Sequence, residues 1–422
     1  MTALSDIRLL EFSDGWTATT LAGRLLAELG AQVVKIEPPA GDTLRRREPR
    51  TPEGVSYAFE LASAGKDSVI VPVDQQVPML ENLLAASDVC LIEAEQWQSL
   101  MPRELSPEKL VRRFPHLVLC LITPRGLQEP DHNQPWSELV LQASTGLMAT
   151  TGFADDPPMR SGVSAIAHGT AILAAVAVLA ALHERRRSGL GQIIDLAGYD
   201  VGLSFLGTFL PRYFRYGTSP QRIGNRHPLV VPWDTYPARD GWVIICSMGD
   251  SSWLRLLEVL GRADLKTEAK YATAQARYDW AKDIDAMIAA WTRQRSVETI
   301  VEVLNEAGVA AGPILPVPQY LAQAYCQERR LLVEVPHAAA GKVPTLGPLF
   351  KMSATPGRVE RCAPTLGQGD LDALLAEAFS QSLEHRSRSR MEPVERPLPG
   401  QGEGRGEGRT PLGSPPHPAH SP

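Results

Sequence analysis

The chain opens with an apolar run at residues 7–12. A stretch of helical spacing follows over 19–29 (Leu21, Leu25, Leu26, Leu29), Gly30 closes it, and 32–36 is a second apolar run. Strand, helix, strand is the opening of a parallel α/β sheet. The pattern repeats, with strands predicted at 68–73, 89–92 and 117–122 and a helix at 78–86. The runs are continuously apolar rather than alternating, as strands buried on both faces must be. An Ala-rich helix is predicted over 165–187, with Arg185, Arg186 and Arg187 in its last turn, where cations complement the helix dipole, and Gly189 just beyond. One more strand at 193–196 closes a first large unit, 1–215.

After Tyr216 the pattern changes. Residues 224–231 read as a connector, and 233–248 as a hairpin whose Asp240-Gly241 turn supplies the positive φ that tight turns need. Helices are expected at 252–260, 280–293 and 297–307, giving a smaller α+β domain over 225–320. Strand character returns at 331–335 and 341–350, and 370–379 reads as a last helix. From His385 the composition shifts to Arg, Ser, Pro and Gly, which cannot bury enough apolar surface to offset ordering entropy, so 385–422 is expected to be a disordered tail. Its arginines alternate with acids such as Glu403 and Glu407, which favours a solvated terminus over a nucleic-acid arm.

Composition narrows the function classes. With 42 Lys+Arg against 48 Asp+Glu the formal charge is −6, which argues against a binder of nucleic acid through a net basic surface but leaves room for an anionic small molecule at a local basic site. The 422 residues allow two or three domains at ~150 residues each. Cys90, Cys120, Cys246, Cys326 and Cys362 form no C-x-x-C pair and fit neither a disulfide framework nor a zinc site. No cationic segment with an apolar run opens the chain, and the longest apolar stretch, 171–182, is short of the ~20 residues a bilayer requires. A cytoplasmic protein without membrane or metal is expected. No Walker, H-E-x-x-H or G-x-S-x-G motif is present, and His116, His132, His227 and His337 lack metal spacing.

Longer phrases carry more. Leu29-Gly30-Ala31-Gln32-Val33-Val34-Lys35-Ile36-Glu37-Pro38-Pro39, then Gly41-Asp42 and Arg45, resembles the N-terminal signature of the family III CoA-transferases, which include formyl-CoA transferase, the carnitine CoA-transferases and α-methylacyl-CoA racemase. Ala64-Gly65-Lys66, Gln142-Ala143-Ser144-Thr145-Gly146, Ser188-Gly189-Leu190-Gly191-Gln192, Gly224-Asn225-Arg226-His227-Pro228 and Ala363-Pro364-Thr365-Leu366-Gly367-Gln368 continue the likeness in order. The resemblance implies a Rossmann-like large α/β domain, a smaller α+β domain, a C-terminal return to the large domain over 325–380, and an interlocked dimer. It also implies coenzyme A or acyl-CoA as substrate beside a carboxylic acid. Lys35, Arg45 and Lys66 are the cations at matching positions and are expected to face the nucleotide phosphates, solvated surface cations being the plain alternative.

The family's transferases attack the thioester with an Asp, about five residues after the Gly of a Gly-Val stretch and ahead of the long helix. Here that stretch is Gly162-Val163-Ser164-Ala165-Ile166-Ala167-His168, and Ala167 occupies the Asp position. Three explanations stand side by side. The chain is the subunit lacking the Asp in a hetero-oligomer with a paralogous, Asp-bearing partner, as in the two-subunit succinyl-CoA:benzylsuccinate type. Alternatively, His168 or Glu138 has taken over catalysis as a base, as in the racemases, or the chain is a non-catalytic CoA-binding or scaffold protein. For each residue there is a plainer role: Glu138 at a helix start is favoured by the dipole, and a lone His entering an apolar helix is commonly structural. The family's Ala-Gly-Pro turn near CoA is here Ala18-Thr19-Thr20, which keeps Ala18 as a cofactor-site residue but adds Cβ atoms after it. Asp67 and Glu93 would repel phosphate if they faced it.

Overall fold

The computed structural model describes residues 2–71, 76–94, 96–97, 106–127, 136–369 and 373. Most of the expected helix at 370–379, His132 and the expected tail at 385–422 lie outside the described residues.

The chain forms two compact units, one of residues 1–141, 164–219 and 333 onward, the other of 142–163 and 220–332. In the first, β1 (Arg8–Phe12), α1 (Ala18–Glu28), β2 (Gln32–Glu37), α2 (Tyr57–Ser63), β3 (Asp67–Ile70), α3 (Gln76–Ala85), β4 (Val89–Glu93), α4 (Pro107–Arg113) and β5 (Val118–Thr123) follow one another. Then come α5 (Glu138–Ser144), α6 (Ala165–Ser188), β6 (Ile193–Ala197), α7 (Gly198–Ser204) and α8 (Leu210–Tyr216). These six strands pair in parallel, in the order β3-β2-β1-β4-β5-β6. Chain order reverses between β1 and β4, the topological switch point of a doubly wound sheet.

One sheet face packs on α1 and α6, with Leu9, Val33, Leu91 and Val118 against Leu26, Ala174, Val178 and Leu182. The other buries Leu10, Phe12, Ile92 and Leu121 against Leu80, Leu84 and Leu110. The alternation of neighbours between the two clusters is the period-2 geometry of strands covered on both sides. The α6 helix is 24 residues long, and by length and apolar composition it could cross a membrane, a length the 171–182 run alone does not reveal. Its Ala171, Ala174, Ala175, Val178 and Ala181 nonetheless belong to the sheet's core, and their small side chains let α1 pack close. At its C-terminal end Arg185 donates to Asp88 at 2.7 Å and to the His116 carbonyl at 3.0 Å.

In the second unit β7 (Trp233–Pro237), β8 (Trp242–Cys246) and β9 (Ala310–Pro313) form an antiparallel sheet. It packs with helices α9 (Gly249–Val259), α10 (Ala281–Thr292) and α11 (Val297–Glu306) around Trp253, Leu256, Ile284, Ile288 and Ile300. Residues 142–163, expected in the large domain, belong here instead. The Gly224 N–H donates to the Gly152 carbonyl at 2.8 Å and the Arg222 guanidinium to the Asp156 carbonyl at 2.8 Å, so one backbone and one side-chain bond tie the segment to 220–224. The last strands, β10 (Leu332–His337) and β11 (Gly341–Leu346), form a two-stranded ribbon.

Candidate active site

A cavity of about 280 Å³ opens at the carboxyl ends of the parallel strands. Asp14, Trp16, Thr17 and Ala18 enter it from the β1–α1 connection, Glu93 from the end of β4, Ile122 and Thr123 from the end of β5, and Gly198 from just beyond β6. It thus sits at the switch point, where open α/β sheets bind ligands. Trp136, Ser137, Glu138 and Leu141 close one side, and Ile166, Ala167 and Thr170 from the first turns of α6 complete the lining.

Two helix N-termini therefore meet the cavity. Thr17 caps α1, its hydroxyl accepting from the Thr20 N–H, and Ala18 is the helix's first residue, where backbone N–H groups have no acceptor inside the helix. Ala18 is thus placed where its backbone can meet a ligand. At α6 the N-cap Ser164 makes no side-chain cap. Glu138 supplies it instead: the N–H groups of Ile166 and Ala167 donate to its two carboxylate oxygens at 3.1 and 2.9 Å. Its charge complements the positive end of a long helix dipole.

The other sequence candidates fall as follows. Ala167, expected at the Asp position, lines the cavity and offers only a methyl group. His168 is exposed and outside the lining, with Nδ1 2.7 Å from the Ser164 carbonyl and its ring 6.1 Å from that of Trp16. A carbonyl only accepts, so Nδ1 carries the proton.

The three expected phosphate ligands are turned inward. Lys35, entirely buried on β2, donates to Ser13 Oγ at 2.7 Å and lies 2.8 Å from Asp42 and 3.2 Å from Glu11. Burial opposes its charge, but Glu11 and Asp42 outweigh it and hold the ammonium above its ordinary pKa. Lys66 is buried as well, 2.7 Å from the other Glu11 oxygen and donating to the Thr20 carbonyl at 2.7 Å. Burial pulls its pKa down to about 8 in spite of Glu11, with Lys35 adding to the fall. Gly23 leaves room for this cluster, since a Cβ there would lie 1.9 Å from a Glu11 oxygen. Arg45 forks onto Glu37 at 2.7 and 2.6 Å, donates to the Pro364 carbonyl at 2.9 Å and stacks on Phe59. In this arrangement all three cations have protein partners, and neither lysine is the solvated surface cation of the plain alternative. Of the suspected repulsive acids, Asp67 pairs with Arg361 at 2.7 Å, and Glu93 is buried in the cavity wall.

Sequence reading missed Asp14, Trp16, Thr17, Thr123, Trp136 and Thr170 as lining residues. The available signal was topological: the residues following the first, fourth and fifth parallel strands converge wherever chain order reverses. Among the described residues no group of three His, Cys, Asp or Glu could hold a metal ion.

This strand order, with a cavity at its switch point ringed by helix N-termini, defines a Rossmann-like α/β protein whose ligand site is made by its strand ends. The particular lineage follows from comparison: the chain belongs to CoA-transferase family III, whose profile matches residues 4–370, as the sequence phrases imply. It is similar to the succinyl-CoA–D-citramalate CoA-transferase of Chloroflexus aurantiacus, at 32% identity over 86% of this chain and 91% of that protein. Similarity to the succinyl-CoA:mesaconate CoA-transferase of Haloarcula marismortui is also 32%, over 89% and 96%. Among solved structures, a CaiB/BaiF family protein from Brucella suis superposes with a TM-score of 0.77 at 27% identity, covering 89% of this chain and 99% of that one. Family III enzymes take acyl-CoA as substrate and need no metal.

Proposed function

We propose that this chain is the subunit lacking the nucleophile in a hetero-oligomeric CoA-transferase, which moves CoA between an acyl-CoA thioester and a carboxylic acid. A related chain supplies the Asp. The observation that carries the reading is Ala167 in the cavity wall, where a carboxylate would have to attack. Glu138 is a poor replacement, because both its oxygens hold the N-terminus of α6 and withdrawing either would uncap that helix. His168 lies outside the lining, which disfavours the racemase-like reading. The names of the relatives, citramalate and mesaconate transferases that use succinyl-CoA, favour a C5 dicarboxylic acid as the CoA acceptor.

An exposed apolar face favours an oligomer. Ile172, Val176 and Leu179 on α6, Phe205 after α7, and Phe214 and Tyr216 on α8 are exposed, Phe214 by 75%. So much apolar surface on one unit fits burial against another chain of the same family. A cytoplasmic location fits this reading. Purification of the native protein tests the heteromer directly: a paralogue with Asp at the Ala167 position should co-elute, and the mixture should transfer CoA. A homo-oligomer with no such partner would move the non-catalytic CoA-binding reading ahead.

A further inference from the structure

Thr170 lies three residues after Ala167 on the same helix, in the cavity lining and only 2% exposed. A helical threonine ordinarily bonds a carbonyl one turn back, here that of Ile166. Its Oγ1 instead has no hydrogen-bond partner. A buried hydroxyl left unpaired costs about 1–3 kcal/mol, so its retention in a cavity wall points to a ligand that satisfies it.

The lining identifies the ligand's chemistry. Three carboxylates face the cavity: Asp14, which accepts from the Thr43 N–H at 2.7 Å, Glu93, and the helix-capping Glu138. Among the described residues no Lys, Arg or His lines it. A free carboxylate or a phosphate would meet like charge there. A neutral carbonyl flanked by apolar groups would not, and Trp16, Trp136, Ile122, Leu141 and Ile166 supply the apolar walls.

We infer that the Thr170 hydroxyl donates a hydrogen bond to the carbonyl oxygen of a bound acyl-CoA thioester, so that this cavity prefers acylated CoA to CoA bearing an alkyl group of equal size. With a methyl group at position 167 the thioester is held and not attacked. The inference rests on reading the cavity as the thioester end of the CoA site.

Titration calorimetry of the full chain, with any partner that co-purifies, against acetyl-CoA and its S-ethyl thioether separates the contribution of the carbonyl oxygen. Acetyl-CoA should bind about five- to tenfold more tightly than the thioether, the span of one neutral hydrogen bond. Thr170→Val should abolish that ratio while leaving thioether affinity unchanged, and Thr170→Ser should keep it. The melting temperature of unliganded Thr170→Val should equal or exceed that of the parent, since valine removes an unpaired buried hydroxyl; a marked drop would mean that the hydroxyl is structural and overturn the inference. Should Thr170→Val not fold, Thr170→Ala serves as the second hydroxyl deletion. An unchanged ratio in the variant overturns the role of Thr170 alone. Failure of the parent chain to bind any CoA species, free CoA included, overturns the reading beneath it.

Discussion

The chemistry of this chain turns on single side chains whose positions, more than their types, decide what they do. Glu138 is an acid at a candidate catalytic position, yet both oxygens receive backbone N–H groups from the first turn of α6. Glu138→Ala should therefore behave as the loss of a helix cap and destabilise the protein by about 1 kcal/mol, with Glu138→Gln recovering part of it. Denaturant unfolding checks this, and a variant as stable as the parent would contradict the cap. Lys35 and Lys66 make the same point from the other side. The sequence shows a Lys inside the apolar run Val33-Val34-Lys35-Ile36 and a Glu inside Leu9-Leu10-Glu11-Phe12. Charges in strands covered on both faces must find one another, so their pairing was legible, although motif matching alone assigned the lysines to phosphate. Thr170 was not legible, because nothing in a run of small apolar residues distinguishes an unpaired hydroxyl from one that bonds its own helix.

At the scale of elements, the strands of the large sheet were readable because each is a continuous apolar run, and their ends agree with the structure to within a residue or two in most cases. The exception is β3, which ends at Ile70, three residues before the predicted end. The short α7 and α8 and the β9 strand were not readable. Ala310–Pro313 carries no apolar pattern and becomes a strand only through its pairing with β8. The returning C-terminal segment shows another kind of element, one fixed by side chains from the first 70 residues. Glu28 accepts from the Phe350 N–H at 3.0 Å, Glu60 from the Ala363 N–H at 2.9 and 3.0 Å, and the Ser68 hydroxyl from the Gly367 N–H at 3.0 Å. Burial lifts the Glu60 pKa to about 7, against the opposing pull of the Ala363 N–H and Arg24. A carboxyl raised in this way contributes stability that is complete below the ordinary carboxylate range and is lost as pH climbs to about 7. The melting temperature should fall across that window, and Glu60→Gln, which stays neutral, should flatten the decline. Equal slopes in parent and variant would mean that Glu60 does not carry the effect.

For the whole molecule, two features converge on a partner. The switch-point cavity presents only a methyl group at Ala167, and the same unit exposes apolar side chains on α6 and α8. The proposed hetero-oligomer would cover those side chains and carry the Asp in the partner's own site. The negative formal charge also takes on local meaning. Acids line the cavity while Lys35, Lys66 and Arg45 are engaged within the protein, so the proposed reading takes the groups that meet the CoA phosphates from elsewhere on the surface or from the proposed partner. The family was legible in the ordered phrases. The reading of Ala167 as the residue at the Asp position rests on the spacing from Gly162 through Gly191-Gln192, aligned without a gap.

The most direct test is CoA transfer by the purified chain alone, measured with succinyl-CoA and a C5 dicarboxylic acid by following formation of the new thioester. The account predicts no transfer above the uncatalysed rate, with activity appearing only when an Asp-bearing paralogue is added. Sustained turnover by the isolated chain with Ala167 in place would contradict it.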